Sequence, residues 1–133
     1  MRPLLGIAGQ VTFAGAIGND ALPEWYCAAD YFVMASSREG WPNAVCEALA
    51  SGLPAICTQV WGIPEIVTGP HLGVLIPERT GPALAAGLKE ALGRAWDRKA
   101  IAAHGMARTW EDVSNQVAPI FDAARRGAPG HRG

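Results

Sequence analysis

The amino-acid sequence predicts an α/β fold, a parallel sheet flanked by helices, and three observations carry that prediction. Two apolar runs, Tyr31-Phe32-Val33-Met34-Ala35 and Pro54-Ala55-Ile56-Cys57-Thr58, show no polar alternation, the mark of strands covered on both faces. Stretches with helical periodicity separate and follow them, an order that builds parallel sheets. Half of the 133 residues are hydrophobic and 17% are charged, which suits one compact core and leaves little room for a second.

Taken in order, Val11-Thr12-Phe13-Ala14-Gly15 reads as a strand closed by glycine. Asp20 stands where an N-cap belongs and Pro23 fits the first turn of the helix that follows. Leu22, Trp25, Tyr26 and Ala29 share one face of that helix. The strand at 31–35 leads into a polar loop, 36–42. Asn43 then caps a helix to about Ser51, stopped by Gly52 ahead of Pro54. Further strands are expected at 54–58 and at Gly73-Val74-Leu75-Ile76. Beyond Thr80 a helix opens with Pro82 and carries Leu84, Leu88 and Leu92 as one apolar stripe. Two more helical stretches are expected around 95–108 and 112–125. Residues 126–133, rich in Gly, Pro and Arg, are expected to be a disordered tail.

The formal net charge is −1 and there is no basic block beyond short pairs such as Arg125-Arg126, which gives no footprint for nucleic acid or an anionic membrane. No apolar run is long enough to span a bilayer, and the first residues have no signal-peptide core. A soluble, cytoplasmic protein is the expectation. Cys27, Cys46 and Cys57 are widely spaced, and the histidines are scattered, so neither a disulfide framework nor a metal site is expected.

Ligands of parallel sheets bind beyond the carboxyl ends of the strands, which directs attention to the loop at 36–42. There a strand gives way to a carboxylate, a glycine and a short helix. The helix start offers free N–H groups and partial positive charge, a seat for phosphate, and Gly40 lets a ligand approach the backbone. Glu39 in the loop and Glu47 in the first two helical turns are both placed to face such a ligand. A carboxylate accepts two hydrogen bonds from neighbouring sugar hydroxyls. From spacing alone, two solvated surface acids is the plainer reading.

A longer pattern changes that weighting. Glu39-Gly40-Trp41-Pro42-Asn43 opens a Glu-x7-Glu motif ending at Glu47, followed by Gly52-Leu53-Pro54 and Trp61-Gly62-Ile63-Pro64-Glu65. Ala29-Asp30-Tyr31-Phe32-Val33 and Ser36 lead into it. In this order the chain resembles, over roughly residues 11–92, the group-1 family of retaining glycosyltransferases, which have the GT-B fold. The resemblance implies a Rossmann-like parallel sheet flanked by helices, and a partial C-terminal, nucleotide-sugar-binding domain over 1–125. The implied reaction moves a sugar from a nucleoside diphosphate sugar to an acceptor hydroxyl with retention, without a cofactor or metal.

By that resemblance Glu39 contacts hydroxyls of the donor sugar and is the catalytic-site carboxylate, while Glu47 takes the ribose hydroxyls. Gly40, Trp41, Pro42, Asn43 and Ala44 line the sugar and diphosphate, chiefly through backbone amides. Ala16 and Ile17 border the base, and Glu65 orients its loop. Trp41 shields the sugar or packs on its own helix. Trp61 stands where the family has glycine, and Gln59 where aspartate is frequent.

The resemblance places the start of the sequence inside the second of two family domains. The first two strands of that domain are then absent, with the arginine and lysine that stabilise the departing diphosphate. Strands 11–15 and 31–35 are left with open apolar edges, so the chain is expected to pair with another chain, to adapt its sheet, or to be a fragment prone to aggregate. The expected partners are another chain or the missing N-terminal acceptor domain. Trp96 and Trp110 are candidates for contact with that domain, beside ordinary core packing. The alternative function is a non-catalytic nucleotide-sugar-binding half that needs a partner. An epimerase or phosphorylase on the same fold, or a dehydrogenase-like domain, fits the motifs less well, and no Gly-x-Gly-x-x-Gly run follows the first strand.

Overall fold

Parallel pairing of three strands supplies the frame of the computed structural model, which describes residues 6–107 and 109–127. β1 (Phe32–Met34), β2 (Ala55–Thr58) and β3 (Gly73–Ile76) lie in that order, with Val33 opposite Ile56 and Ile56 opposite Val74. The helices are α1 (Leu22–Ala28), α2 (Asn43–Ala50), α3 (Ile63–Ile66), α4 (Gly81–Leu92), α5 (Arg98–Met106) and α6 (Trp110–Gly127). A short 3-10 turn, Ala8–Gln10, precedes them.

Side chains alternate along a strand, so β2 divides the core between two faces. Ala55 and Cys57 join Val45 and Leu49 of α2, Ile63 and Ile66 of α3 and Ile101 of α5. Ile56 joins Val74, Ile76 and Ala91 of α4 on the other face. All of β2 is buried, as its apolar run predicts. Trp96 packs against both clusters and donates its Nε1 hydrogen to the Ala91 carbonyl oxygen at 2.9 Å, so it is a core residue.

The expected strand at 11–15 is not one: the segment is irregular and exposed, with Phe13 79% accessible. A strand needs a neighbour for its backbone N–H and C=O groups. Among the described residues no strand pairs with this segment or with the outer edge of β1. β1 is not covered on both faces: α4 packs chiefly over β3 and β2, and Val33 is left 44% exposed.

Two expected caps also shift. α1 begins after Ala21 with no side-chain cap, Asp20 lying in the preceding turn. α2 begins after Pro42, and Asn43 is its first helical residue, one place too late to cap it. The stop at Gly52 is as expected. Gly52 takes φ +78°, its N–H donates to Leu49 O at 2.8 Å, and the Leu53 N–H donates to Ala48 O at 2.9 Å. These two bonds form a Schellman closure, which ends α2 sharply.

On α4, Thr80 caps the Ala83 N–H at 3.3 Å, and Leu84 and Leu88 pack on the sheet. Leu92 is 67% exposed. Eight residues overshoot two helical turns by about 80°, and the buried Ala91 takes the core position instead. Asp97 caps α5 through the N–H groups of Lys99 and Ala100. Thr109 and Asp112 cap α6 reciprocally: each accepts the other's backbone N–H, at 3.2 and 2.8 Å respectively. α6 runs two residues past the expected boundary at 125, to Gly127. The rest of the expected tail, 128–133, lies outside the described residues. Among the described residues no helix is long and apolar enough to cross a membrane.

Candidate functional site

The loop at 36–42 leaves β1 at its carboxyl end and is tied down from two sides. Buried Thr58, the last residue of β2, donates its hydroxyl to the Ser36 carbonyl oxygen at 2.6 Å. From beyond β3, Arg79 donates its Nε hydrogen to the Ala35 carbonyl oxygen at 2.7 Å. Arg79 thus lies across the strand ends, beside a hollow of about 300 Å³ lined by Ala35, Thr58, Arg79 and Thr80. Nothing in the sequence marks Arg79 except its place just after a strand.

Gly62 forms the floor of the loop. Its N–H donates to the Glu39 carbonyl oxygen at 3.3 Å, and its Cα faces the Gly40 carbonyl so closely that a Cβ would stand 1.9 Å from that oxygen. Before it, Trp61 adopts φ +43°, the left-handed conformation that glycine tolerates. The glycine that the resemblance implies at this position therefore has a backbone reason. Trp61 is 67% exposed and so recovers little of the conformational cost through burial. Trp61→Gly is expected to raise stability by about 1 kcal/mol, the relief of left-handed strain less the added freedom of the unfolded chain. A higher urea midpoint at unchanged slope checks this.

Glu39 is half-buried in the loop, while Glu47 is exposed in the second turn of α2. Glu47 Oε2 accepts a hydrogen bond from the Tyr26 hydroxyl on α1 at 3.2 Å. The Tyr26 ring in turn meets Phe32 of β1 edge-on, with centroids 6.1 Å apart. Burial, and then the hydrogen bond and charge of Glu47, push the Tyr26 phenol above its ordinary pKa, which keeps it a donor. Nothing in the sequence announced this pair, because its members are 21 residues apart.

A cleft of about 550 Å³ opens beside α2, lined among others by Trp41, Asn43, Glu47, Glu65, His104 and Trp110. Three of the sequence-selected residues, Trp41, Asn43 and Glu47, meet there. Glu39, Gly40, Pro42 and Ala44 are not in its lining; they form the loop and helix start next to it. Pro42 is buried and Ala44 half-buried, whereas Gly40 and Asn43 are exposed. Glu65, expected only to orient its loop, faces the cleft, and Trp110, 79% exposed, forms a wall of it. Ala16 and Ile17 lie in the irregular segment before α1, Ile17 half-buried. Among the described residues no group of three His, Cys, Asp or Glu side chains is placed to hold a metal ion.

The profile of the family described as glycosyl transferases group 1 matches residues 1–94. The D-inositol 3-phosphate glycosyltransferase of Streptomyces griseus is 33% identical over 97% of this chain and 29% of its own length. The lipopolysaccharide core biosynthesis mannosyltransferase LpsB of Rhizobium meliloti is 32% identical over 91% of this chain and 36% of its own. Among solved structures, the sucrose-phosphate synthase from Thermosynechococcus elongatus superposes with a TM-score of 0.76 at 26% identity, over 92% of this chain and 32% of that one. The chain thus spans about a third of the length of the proteins it matches, and its parallel sheet with flanking helices is part of a GT-B fold. The family match covers well over half of the residues, and the chain belongs to the group 1 glycosyl transferases.

Proposed function

We propose that this chain forms the nucleotide-sugar-binding part, over residues 1–125, of a retaining glycosyltransferase that moves a sugar from a nucleoside diphosphate sugar to an acceptor hydroxyl without a metal. The observation that carries the reading is the setting of the two glutamates. Glu39 and Glu47 bracket a loop and helix start that the carboxyl ends of the strands hold in place. α2 has no side-chain cap, which suits a start that offers its N–H groups and dipole to a diphosphate. Glu39 then takes sugar hydroxyls and Glu47 the ribose. The relatives are named for transfer in D-inositol 3-phosphate and in lipopolysaccharide core chemistry, so proteins sharing this part differ in what they act on.

Calorimetric titration of the chain with UDP, GDP and ADP, and with their sugars, tests the reading. One nucleotide is expected to bind, and Glu47→Ala is expected to weaken it about ten- to a hundredfold, the worth of hydrogen bonds to a charged group. An unchanged affinity in a folded Glu47→Ala chain overturns the assignment.

A second reading, a binding half that works only with a partner, is favoured by the bare edge of β1 and by α6. That helix exposes Trp110, Ile120 and Phe121, the last two at 67% each. Sugar transfer by the chain alone, measured against the chain with added candidate partners, separates the two.

A further inference from the structure

We infer that Tyr26 is a positioning residue, whose hydroxyl holds the Glu47 carboxylate in the orientation that receives two neighbouring hydroxyls of the ligand. The inference rests on the reading of Glu47 given above and extends it to a residue outside the Glu-x7-Glu segment. A glutamate exposed on a helix samples several rotamers, and a ligand that needs one of them loses affinity in proportion to the rest. Here Tyr26 donates to Oε2 across the groove between α1 and α2, at 3.2 Å. One lone pair of Oε2 is thereby spent, and its other lone pair and those of Oε1 are left for the two hydroxyls of the ligand.

The support continues below the phenol. Tyrosine has only two side-chain torsions, and its ring is set edge-on against Phe32, which packs on the core cluster under α2. The orientation of the carboxylate is thus relayed from β1 through Phe32 and Tyr26 to Glu47. The raised phenol pKa agrees with this arrangement, since a protonated hydroxyl is the form that donates to a carboxylate.

Tyr26→Phe keeps the ring and its contact and removes only the donor. The test compares the ribonucleoside diphosphate that binds best among UDP, GDP and ADP with its 2′,3′-dideoxy counterpart, which offers Glu47 nothing to hold. Tyr26→Phe is expected to weaken the ribonucleotide about three- to tenfold and to leave the dideoxy compound within twofold. In a Glu47→Ala background, which has no acceptor for the phenol, the same change is expected to add nothing. Phe32→Leu, which loosens the ring and keeps the phenol, is expected to give a smaller loss in the same direction.

Equal losses on both nucleotides from Tyr26→Phe, with folding verified by thermal melting, mean a merely structural role and overturn the inference. So does an unchanged ribonucleotide affinity when Glu47→Ala still lowers it. If Glu47→Ala itself leaves the ratio of the two affinities unchanged, or the unsubstituted chain binds none of the three nucleotides, the ribose reading of Glu47 falls, and Tyr26 with it.

Discussion

Gly62→Ala is expected to destabilise the chain by about 3 kcal/mol and to abolish nucleotide binding, the value being typical of overpacking at a closed site. The added Cβ would meet the Gly40 carbonyl oxygen at 1.9 Å and its carbon at 3.1 Å. Both sides of the contact are backbone, so no rotamer change relieves it. Either the Gly62–Glu39 hydrogen bond breaks or α3, which carries Ile63 into the core, moves away from β2. Both routes displace the loop between Glu39 and α2. Gly40→Ala is the contrast, because a Cβ there meets nothing within 4 Å and the backbone φ is not in the left-handed region. Its stability is expected to stay within about 0.5 kcal/mol of the parent. If Gly40 serves close approach of a ligand, Gly40→Ala weakens nucleotide-sugar binding while leaving the urea midpoint in place. A Gly62→Ala chain as stable as the parent would show that the loop is not seated on this glycine.

Much of the fold was legible because its strands are written as apolar runs that a parallel sheet requires. The runs at 54–58 and 73–76 appear as β2 and β3, and the stripe of Leu84 and Leu88 faces them. What misled was pairing, which no local pattern contains. Val11-Thr12-Phe13 has strand composition, yet no described strand pairs with its backbone, which stays irregular. Val33 sits in an equally apolar run and is exposed because α4 covers chiefly β2 and β3 on that face. Caps failed by one residue in each case: Asp20 and Asn43 are good capping residues in the wrong place, and α1 and α2 start without them. α3 was hidden inside a motif read as a loop, since four residues are too few to show a period. In the site, the motif located α2 and both glutamates but not Tyr26 or Arg79, which reach it from distant segments. Trp61 is the instructive case. Its departure from glycine was visible in the sequence, but only the positive φ says why glycine is the easier residue there.

The centre of the sheet carries its own signature, an alkaline one. Cys57 is fully buried in β2, opposite Met34 and Leu75, and burial pushes its thiol from the usual 9.0 up to about 12, against a smaller lowering by the backbone at Met34. The sign follows from proton binding. In the unfolded chain the thiol ionises near 9.0, while in the folded chain it stays protonated to about 12. Between these values the folded state binds the extra proton, so the stability it confers is complete below pH 9.0 and declines as pH rises towards 12. The expected loss is about 1.4 kcal/mol per pH unit from this group, or roughly 4 kcal/mol over the window. Urea melts at several alkaline pH values, on the parent and on Cys57→Ala, isolate the contribution, because other groups titrate in both chains and cancel in the difference. The same burial orders the thiols in reactivity. Exposed Cys27 is expected to alkylate under native conditions, and Cys57 only as fast as the sheet opens. Labelling of Cys57 at the rate of Cys27 in the folded chain would mean that β2 is not the closed centre on which Thr58, the loop and α2 are seated.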